Sequence, residues 1–286
     1  MILILGSTGY IGWNIASELA KARKSFLEMP RWRVDYYDSE KLSQLILSNN
    51  IKTIINSTGF VPDSFCAKNK EDKEECYTAN IEFPTNLARV CCLLNVKLIH
   101  VSDAGIFNGD QKLYTEEDHP NRCDEDLNYY YFCKYLAETR VSAFLPSNHY
   151  ILRCYLPFSN EHKEKNLISK VLKQDSILTC NTSATRLDDF TRAILHFVNT
   201  EQEAGVYNVV NSGFFSRSLI VEEFKRNNKE VDKQYSFYDN ENDFKMIGQK
   251  DSSYCTIDNK KLIDTGFEMP DVQDAIVSCI KSFKMT

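Results

Sequence analysis

The stretch "ILILGSTGYIGWNIASELAKARK", residues 2–24, decides the fold. Its first four residues are apolar without alternation, which predicts a strand buried on both faces. The run stops at Gly6, and "IGWNIASELAKARK" follows with helical spacing and a basic last turn. Between strand and helix lies "GSTGYIG", with Gly6, Gly9 and Gly12 three residues apart. Glycine permits the tight turn and lets the backbone approach a phosphate. The helix N-terminus adds unpaired N–H groups and a partial positive charge. A merely tight strand–helix turn is the plain alternative. The context favours a pyrophosphate site, with Gly6, Thr8, Gly9, Tyr10, Ile11 and Gly12 as its candidate residues.

The same alternation continues outward. "SFLEM", "IKTIINSTG", "VKLIHVSD" and "HYILRCYLPF" predict further strands. "DSEKLSQLILSNN", "TANIEFPTNLARVCCLL" and "NYYYFCKYLAETRVSAF" predict helices. Repeated β-α units predict a Rossmann-type α/β fold, a doubly wound parallel sheet with helices on both faces, over residues 1–157. Beyond 157 the pattern loosens. "SNEHKEKNLISKVLKQDSI" reads as a polar helix, and "RSLIVEEFKRNN" and "PDVQDAIVSCIKSF" as amphipathic helices. Residues 158–286 are expected to form a smaller, interleaved substrate lobe, with a segment near 205–212 returning to the main sheet.

The chain has 286 residues, 43% of them hydrophobic, enough for one large domain with a lobe. A net charge of −6 with interspersed signs argues against a nucleic-acid footprint or a polybasic membrane patch. The ten cysteines are scattered without a CxxC pair, and no histidine stands at zinc-ligand spacing from them. They read as buried thiols of a reducing compartment, and no metal is expected. No basic signal-peptide start and no apolar run of about 18 residues is present. The expectation is a soluble, cytoplasmic protein.

In "LNYYYFCKYLAE", residues 127–138, only Tyr130 stands four residues before a lysine, Lys134. Positions i and i+4 share a helix face. An ammonium beside a phenol is expected to favour the phenolate and lower its pKa. Such a tyrosine can give a proton to a carbonyl oxygen while hydride arrives at carbon. An ordinary helix with a chance Tyr–Lys pair is the alternative. After a glycine loop of this kind, the catalytic reading is preferred.

On "GSTGYIG" and Tyr-x-x-x-Lys together, the chain resembles the extended short-chain dehydrogenase/reductases that modify nucleotide sugars. It is most similar to dTDP-4-dehydrorhamnose reductases and to bifunctional UDP-4-keto-6-deoxyglucose 3,5-epimerase/4-reductases. The resemblance implies an NAD(P)-dependent oxidoreductase, often dimeric, acting on a 4-keto-6-deoxy nucleotide sugar. "DYYDSEKL" implies Asp35 near the adenine. "INSTG" implies that Asn56, Ser57 and Thr58 line the cofactor. Asn80 in "YTANIEFPTNLA" matches a relay asparagine, and Leu156 in "ILRCYLPF" lies where the nicotinamide carboxamide is held. "KNLISK" implies Asn166 and Lys170 near the sugar nucleotide, although a solvated lysine is an equal reading of Lys170.

Two positions depart from the family pattern. In "VSDAGIFNG" the hydroxyl that should assist Tyr130 is replaced by Asp103, and the epimerase cysteine by Gly105, on the substrate side. An ionised carboxylate cannot donate to an oxygen gaining negative charge. Asp103 could be protonated, could accept a proton from a sugar hydroxyl, or could yield its place to Ser102 through a bulge. Two further readings follow: a cofactor-binding regulatory protein with altered chemistry, or an epimerase/reductase whose acid is relocated to Cys133 or Cys154. For the cofactor, Glu28 falls inside the second strand, whereas Arg31 and Arg33 follow it. Arginine suits a 2′-phosphate, which favours NADP(H) over NAD(H).

Overall fold

The computed structural model describes residues 1–29, 37–62, 67, 69–228, 233–248 and 253–284. The chain opens with β1 (Ile2–Leu5), α1 (Tyr10–Lys21), β2 (Phe26–Glu28), α2 (Ser39–Ser48) and β3 (Thr53–Asn56). Next come α3 (Lys70–Tyr77), α4 (Phe83–Leu94), β4 (Lys97–Asp103), β5 (Gly109–Tyr114), α5 (Tyr129–Phe144) and β6 (His149–Cys154). Then follow β7 (Pro157–Phe158), α6 (Leu167–Lys173), β8 (Ser176–Leu178), β9 (Thr185–Arg186), α7 (Leu187–Asn199) and β10 (Gly205–Asn208). The chain continues with α8 (Ser218–Asn227), β11 (Ser236–Tyr238), α9 (Glu241–Met246), β12 (Cys255–Ile257), α10 (Lys260–Ile263) and α11 (Val272–Lys281).

Residues 1–106, 119–153 and 191–207 make one compact unit. Among the described residues its sheet has the order β10-β6-β4-β3-β1-β2, with β2, β1, β3 and β4 parallel. Register and pleat explain why the strands read as continuous apolar runs. Leu3, Ile54 and Leu98 stand in one row across β1, β3 and β4. They pack with Leu42 and Ile46 of α2, Leu87 and Cys91 of α4, and Val141 of α5. The next row, Ile4, Ile55 and Ile99, points to the opposite face and is also buried. Both faces need apolar cover, the condition of a doubly wound sheet.

A π-helical turn at Thr78–Glu82 joins α3 to α4, and Pro84, which has no N–H to donate back into the preceding helical turn, sits just after it in the first turn of α4. β4 ends in a tight 3₁₀ turn, Ala104–Ile106. α5 begins immediately after Asn128, behind a turn in which the Asp124 carboxylate accepts from the N–H groups of Asp126 and Leu127. Among the described residues, no helix is long and apolar enough to cross a membrane.

Residues 107–118, 154–190 and 208–286 make the second unit. β5 pairs with β12, β8 with β11 and β7 with β9, all parallel. Its core joins Ile168 and Val171 of α6, Ile220 and Phe224 of α8, and Ile276 and Ile280 of α11. The division falls between Arg153 and Cys154 rather than after 157, and 107–118 belongs with the second unit because β5 pairs with β12. The helix expected across 159–177 is only Leu167–Lys173. Before it, Asn166 has extended backbone and caps the helix, and the polar residues ahead of it have no apolar stripe to bury.

Candidate active site

The glycine loop has the shape that a phosphate cradle requires. Gly6 has φ +84°, and a Cβ there would lie 2.8 Å from the backbone of Ser57 and Thr58. A Cβ on Gly12 would meet the Gly6 carbonyl at 2.1 Å and Ser57 Oγ at 2.6 Å. The first turn of α1 is therefore packed directly on the loop, which only glycine permits. Gly9 stands at the N-cap, its N–H donating to the Gly6 carbonyl at 3.0 Å, and no side chain caps the helix. Thr8 and Gly9 are exposed, and Tyr10 and Ile11 half-buried. An uncapped 12-residue helix behind a glycine-bounded loop fits a dinucleotide pyrophosphate.

The end of β3 is built around Asn56. Its Oδ1 accepts from the N–H of Thr58 at 3.1 Å and from Thr58 Oγ1 at 2.6 Å, while Nδ2 faces His100 Nδ1 at 3.0 Å. Ser57 Oγ donates to the Leu5 carbonyl at 2.8 Å. Asn56 and Ser57 thus hold the strand ends that carry the loop. Asn80 is buried in the π turn and is spent on the neighbouring loop. It accepts from the N–H of Phe60 and donates to the Phe60 carbonyl at 2.7 Å and to Cys76 Sγ at 3.3 Å. Asn80, the relay residue that the resemblance implies, is held in place by these bonds.

Tyr130, Lys134 and Asp103 do come together. Tyr130 Oη is 3.4 Å from Asp103 Oδ2, and the N–H of Gly105 donates to Asp103 Oδ1 at 2.8 Å. Lys134 Nζ donates to the Val101 carbonyl at 3.0 Å. The electrostatics reverse the expectation that lysine lowers the tyrosine pKa. Burial, then the Asp103 charge, hold Tyr130 well above its ordinary value of 10.0. Burial also lifts the Asp103 carboxyl above its ordinary value, against the pull of the Gly105 N–H, Lys134 and Arg122. Burial lowers Lys134, against the support of Asp103 and Glu138. The set is a desolvated carboxyl, phenol and amine, in which the neutral phenol is the favoured form.

Ser102 does not stand in for Asp103. It points to the other face of β4, where Oγ donates to Glu138 Oε1 at 2.6 Å. Glu138 also accepts from Arg153, Nη2 to Oε2 at 2.7 Å and Nε at 3.1 Å, with both side chains only 3% exposed. This buried pair ties α5 to β4 and β6. Glu138 closes the "LNYYYFCKYLAE" motif, but neither its partnership with Arg153 nor a role for Arg153 is legible in the sequence. The available signal for Glu138 itself was its place four residues after Lys134, on the same helix face.

A Cβ on Gly105 would lie 2.5 Å from Tyr131 Cε1 and 2.8 Å from its hydroxyl oxygen. The tyrosine ring fills the space a cysteine at 105 would need. Cys133 is fully buried, and its thiol is pushed up by a hydrogen bond with Cys76 and by burial, so it is a poor relocated acid; Cys154 is also buried. Leu156, at φ +40°, Asn166 and Lys170 lie in the second unit. Asn166 is wholly buried, capping α6 through the N–H of Ile168 and donating to the carbonyls of Ser159 and Glu161. Lys170 is exposed. Arg31, Arg33 and Asp35 lie outside the described residues.

A glycine cradle, a Tyr-x-x-x-Lys helix and a parallel sheet converge on one family. The family model described as the RmlD substrate binding domain matches residues 1–285. The chain belongs to this family. It is thereby an extended, RmlD-like short-chain dehydrogenase/reductase. Against the dTDP-4-dehydrorhamnose reductase of Mycolicibacterium smegmatis it is 22% identical over 224 residues. That alignment covers 76% of this chain and 65% of the relative, just under two thirds of the relative's length. Two solved structures share the RmlD-like fold. The L780 UDP-rhamnose synthase of Acanthamoeba polyphaga mimivirus has a TM-score of 0.83 at 20% identity, covering 98% of both chains. The dTDP-4-dehydrorhamnose reductase of Bacillus anthracis, solved in complex with NADP, has a TM-score of 0.77 at 18% identity, covering 99% of this chain and 96% of that one.

Proposed function

We propose that this protein is an NADP(H)-dependent reductase of a 4-keto-6-deoxy nucleotide sugar. The observation that carries the reading is the contact of Tyr130 with Asp103, on a helix that also supplies Lys134. Bound NADPH would supply the hydride to the carbonyl carbon. Tyr130 gives its phenolic proton to the carbonyl oxygen. A phenol held well above its ordinary pKa stays protonated at neutral pH, which suits reduction over oxidation. Asp103, lifted toward its neutral form, can donate to the same oxygen, the task a hydroxyl performs in the family pattern. Lys134, a buried cation supported by Asp103 and Glu138, offsets negative charge left on Tyr130 after transfer.

Gly6, Gly9 and Gly12 with the start of α1 would hold the pyrophosphate, and Thr58 and the Asn56 strand end the adjoining nucleotide. The choice of NADP(H) rests on Arg31 and Arg33 after β2. Alanine at both positions should raise KM for NADPH while leaving that for NADH nearly unchanged.

The direct test is incubation with NADPH and a panel of 4-keto-6-deoxy nucleotide sugars, following loss of cofactor absorbance. Turnover by wild type and not by Tyr130→Phe supports the reading. Silence across the panel with cofactor still bound sinks it and favours a cofactor-binding regulatory role. Solvent-deuterium exchange at C3 or C5 would report epimerisation separately, an activity that Gly105 and buried Cys133 disfavour.

A further inference from the structure

The Asp103 turn is gripped from outside by residues with no part in the scheme above. The N–H of Arg122 donates to the Ile106 carbonyl at 3.1 Å, docking the 119–123 segment on the turn. The Arg122 guanidinium lies over the Tyr131 ring, 4.7 Å from its centroid. That ring covers Gly105, leaving no room for a Cβ, and meets the Tyr130 ring edge-on at 5.2 Å. Cys123 Sγ adds a contact to the Tyr131 carbonyl at 3.5 Å. Gly105 in turn donates to Asp103. An unbroken chain of contacts therefore runs from Arg122 through Tyr131 and Gly105 to the Asp103–Tyr130 pair.

We propose that Arg122 is a positioning residue for this pair: its guanidinium, seated on the Tyr131 ring that covers Gly105, clamps the Asp103–Ile106 turn and so holds the Asp103 carboxyl against the Tyr130 hydroxyl. Lys134 of α5 and Arg122 of the 119–123 segment both act to lower the Asp103 pKa, against the burial that raises it. The other groups acting on this pair are Tyr130 and Tyr131 of α5, the Cys123 thiol, Cys76 of α3 and the Gly105 N–H. Lys134 alone is weakened by its own burial. Arg122 is half-buried on the Tyr131 ring, outside the helix that carries Lys134. Without it, Asp103 should hold its proton to higher pH, and the turn should loosen.

The test has two readouts, because the kinetic one rests on the reductase reading and the spectroscopic one does not. The carboxyl infrared band of Asp103, identified by its loss in Asp103→Asn, is titrated in wild type, Arg122→Gln, Arg122→Lys and Tyr131→Leu. Arg122→Gln should move the midpoint upward by about one pH unit. Tyr131→Leu, which removes the seat of the guanidinium, should move it the same way. Arg122→Lys should restore most of the shift. The limb of the pH profile of NADPH consumption assigned to Asp103 should follow the band. An unmoved midpoint in both Arg122→Gln and Tyr131→Leu overturns the proposal. A midpoint that moves in the variants, when wild type reduces no sugar, would sink the reductase reading and leave the positioning role intact.

Discussion

Tyr130 Oη and Asp103 Oδ2 lie 3.4 Å apart, in a pocket where burial raises the pKa of both groups. Burial disfavours the charged form of each acid, and a charge on Asp103 further disfavours the phenolate of Tyr130. This arrangement differs from a tyrosine sharpened by lysine alone, and its consequences can be measured.

If Tyr130 is the proton donor, Tyr130→Phe should lower kcat by about 10² to 10⁴-fold. Cofactor affinity should change little, because the ring and its neighbours remain. Stopped-flow absorbance with a parallel fluorescence titration of NADPH separates the two effects.

Asp103 should also shape stability against pH. Its folded pKa is raised, so the stability it contributes is present below its ordinary value of 3.8 and is lost as pH rises through the elevated folded value. Asp103→Asn, which cannot ionise and can still accept from Gly105, should be more stable than wild type at neutral pH. The two should converge at low pH. Urea titrations across that range would show it, and a wild type more stable than Asp103→Asn at pH 7 would contradict it.

The Glu138–Arg153 pair is buried and multiply bonded. Removing one partner strands a charge, so Glu138→Leu or Arg153→Met alone should cost about 3–5 kcal/mol. The double variant should lose less than the sum of the singles, as chemical denaturation would reveal.

Position 105 is a test of packing. Gly105→Ala brings a methyl against the Tyr131 ring and should destabilise by about 1–3 kcal/mol. Combining it with Tyr131→Leu should relieve much of that loss. Additivity of the two, read from melting curves, would mean the ring does not fill the space.

The cradle can be probed at Gly12. A methyl there would sit 2.1 Å from the Gly6 carbonyl. Gly12→Ala should weaken nicotinamide dinucleotide binding by tenfold or more, at about 1.4 kcal/mol per tenfold. A fluorescence titration of NADPH checks it.

Much of this protein was legible before any coordinates. The unalternating run Ile2–Leu5 and its successors imply a sheet covered on both faces. The glycines at 6, 9 and 12 imply a close backbone approach. Tyr130 and Lys134 share a helix face because an α-helix repeats every 3.6 residues. These features are local, set by backbone period and by the absence of side chains, and a linear reading captures them. α5 was harder to read as an amphipathic helix, because its buried face carries Lys134 and Glu138 among the tyrosines.

The remainder depended on residues far apart in the chain. Which face of β4 Ser102 takes was decided by Glu138 and Arg153, 36 and 51 positions away, which satisfy its hydroxyl and each other. The family motif places Asn166 near the sugar nucleotide; in the fold its Oδ1 caps α6 at the Ile168 N–H while Nδ2 donates to the carbonyls of Ser159 and Glu161. Gly105 could have been an open space, had Tyr131 not been seated over it beneath Arg122. The pKa of Tyr130 followed from desolvation and the charge on Asp103, which outweigh the neighbouring lysine. Sequence determined which groups exist and which lie within one helical turn. Tertiary packing decided which are buried, what faces them and hence which protonation state they hold, because desolvation and long-range contacts belong to the folded chain and to no short segment of it.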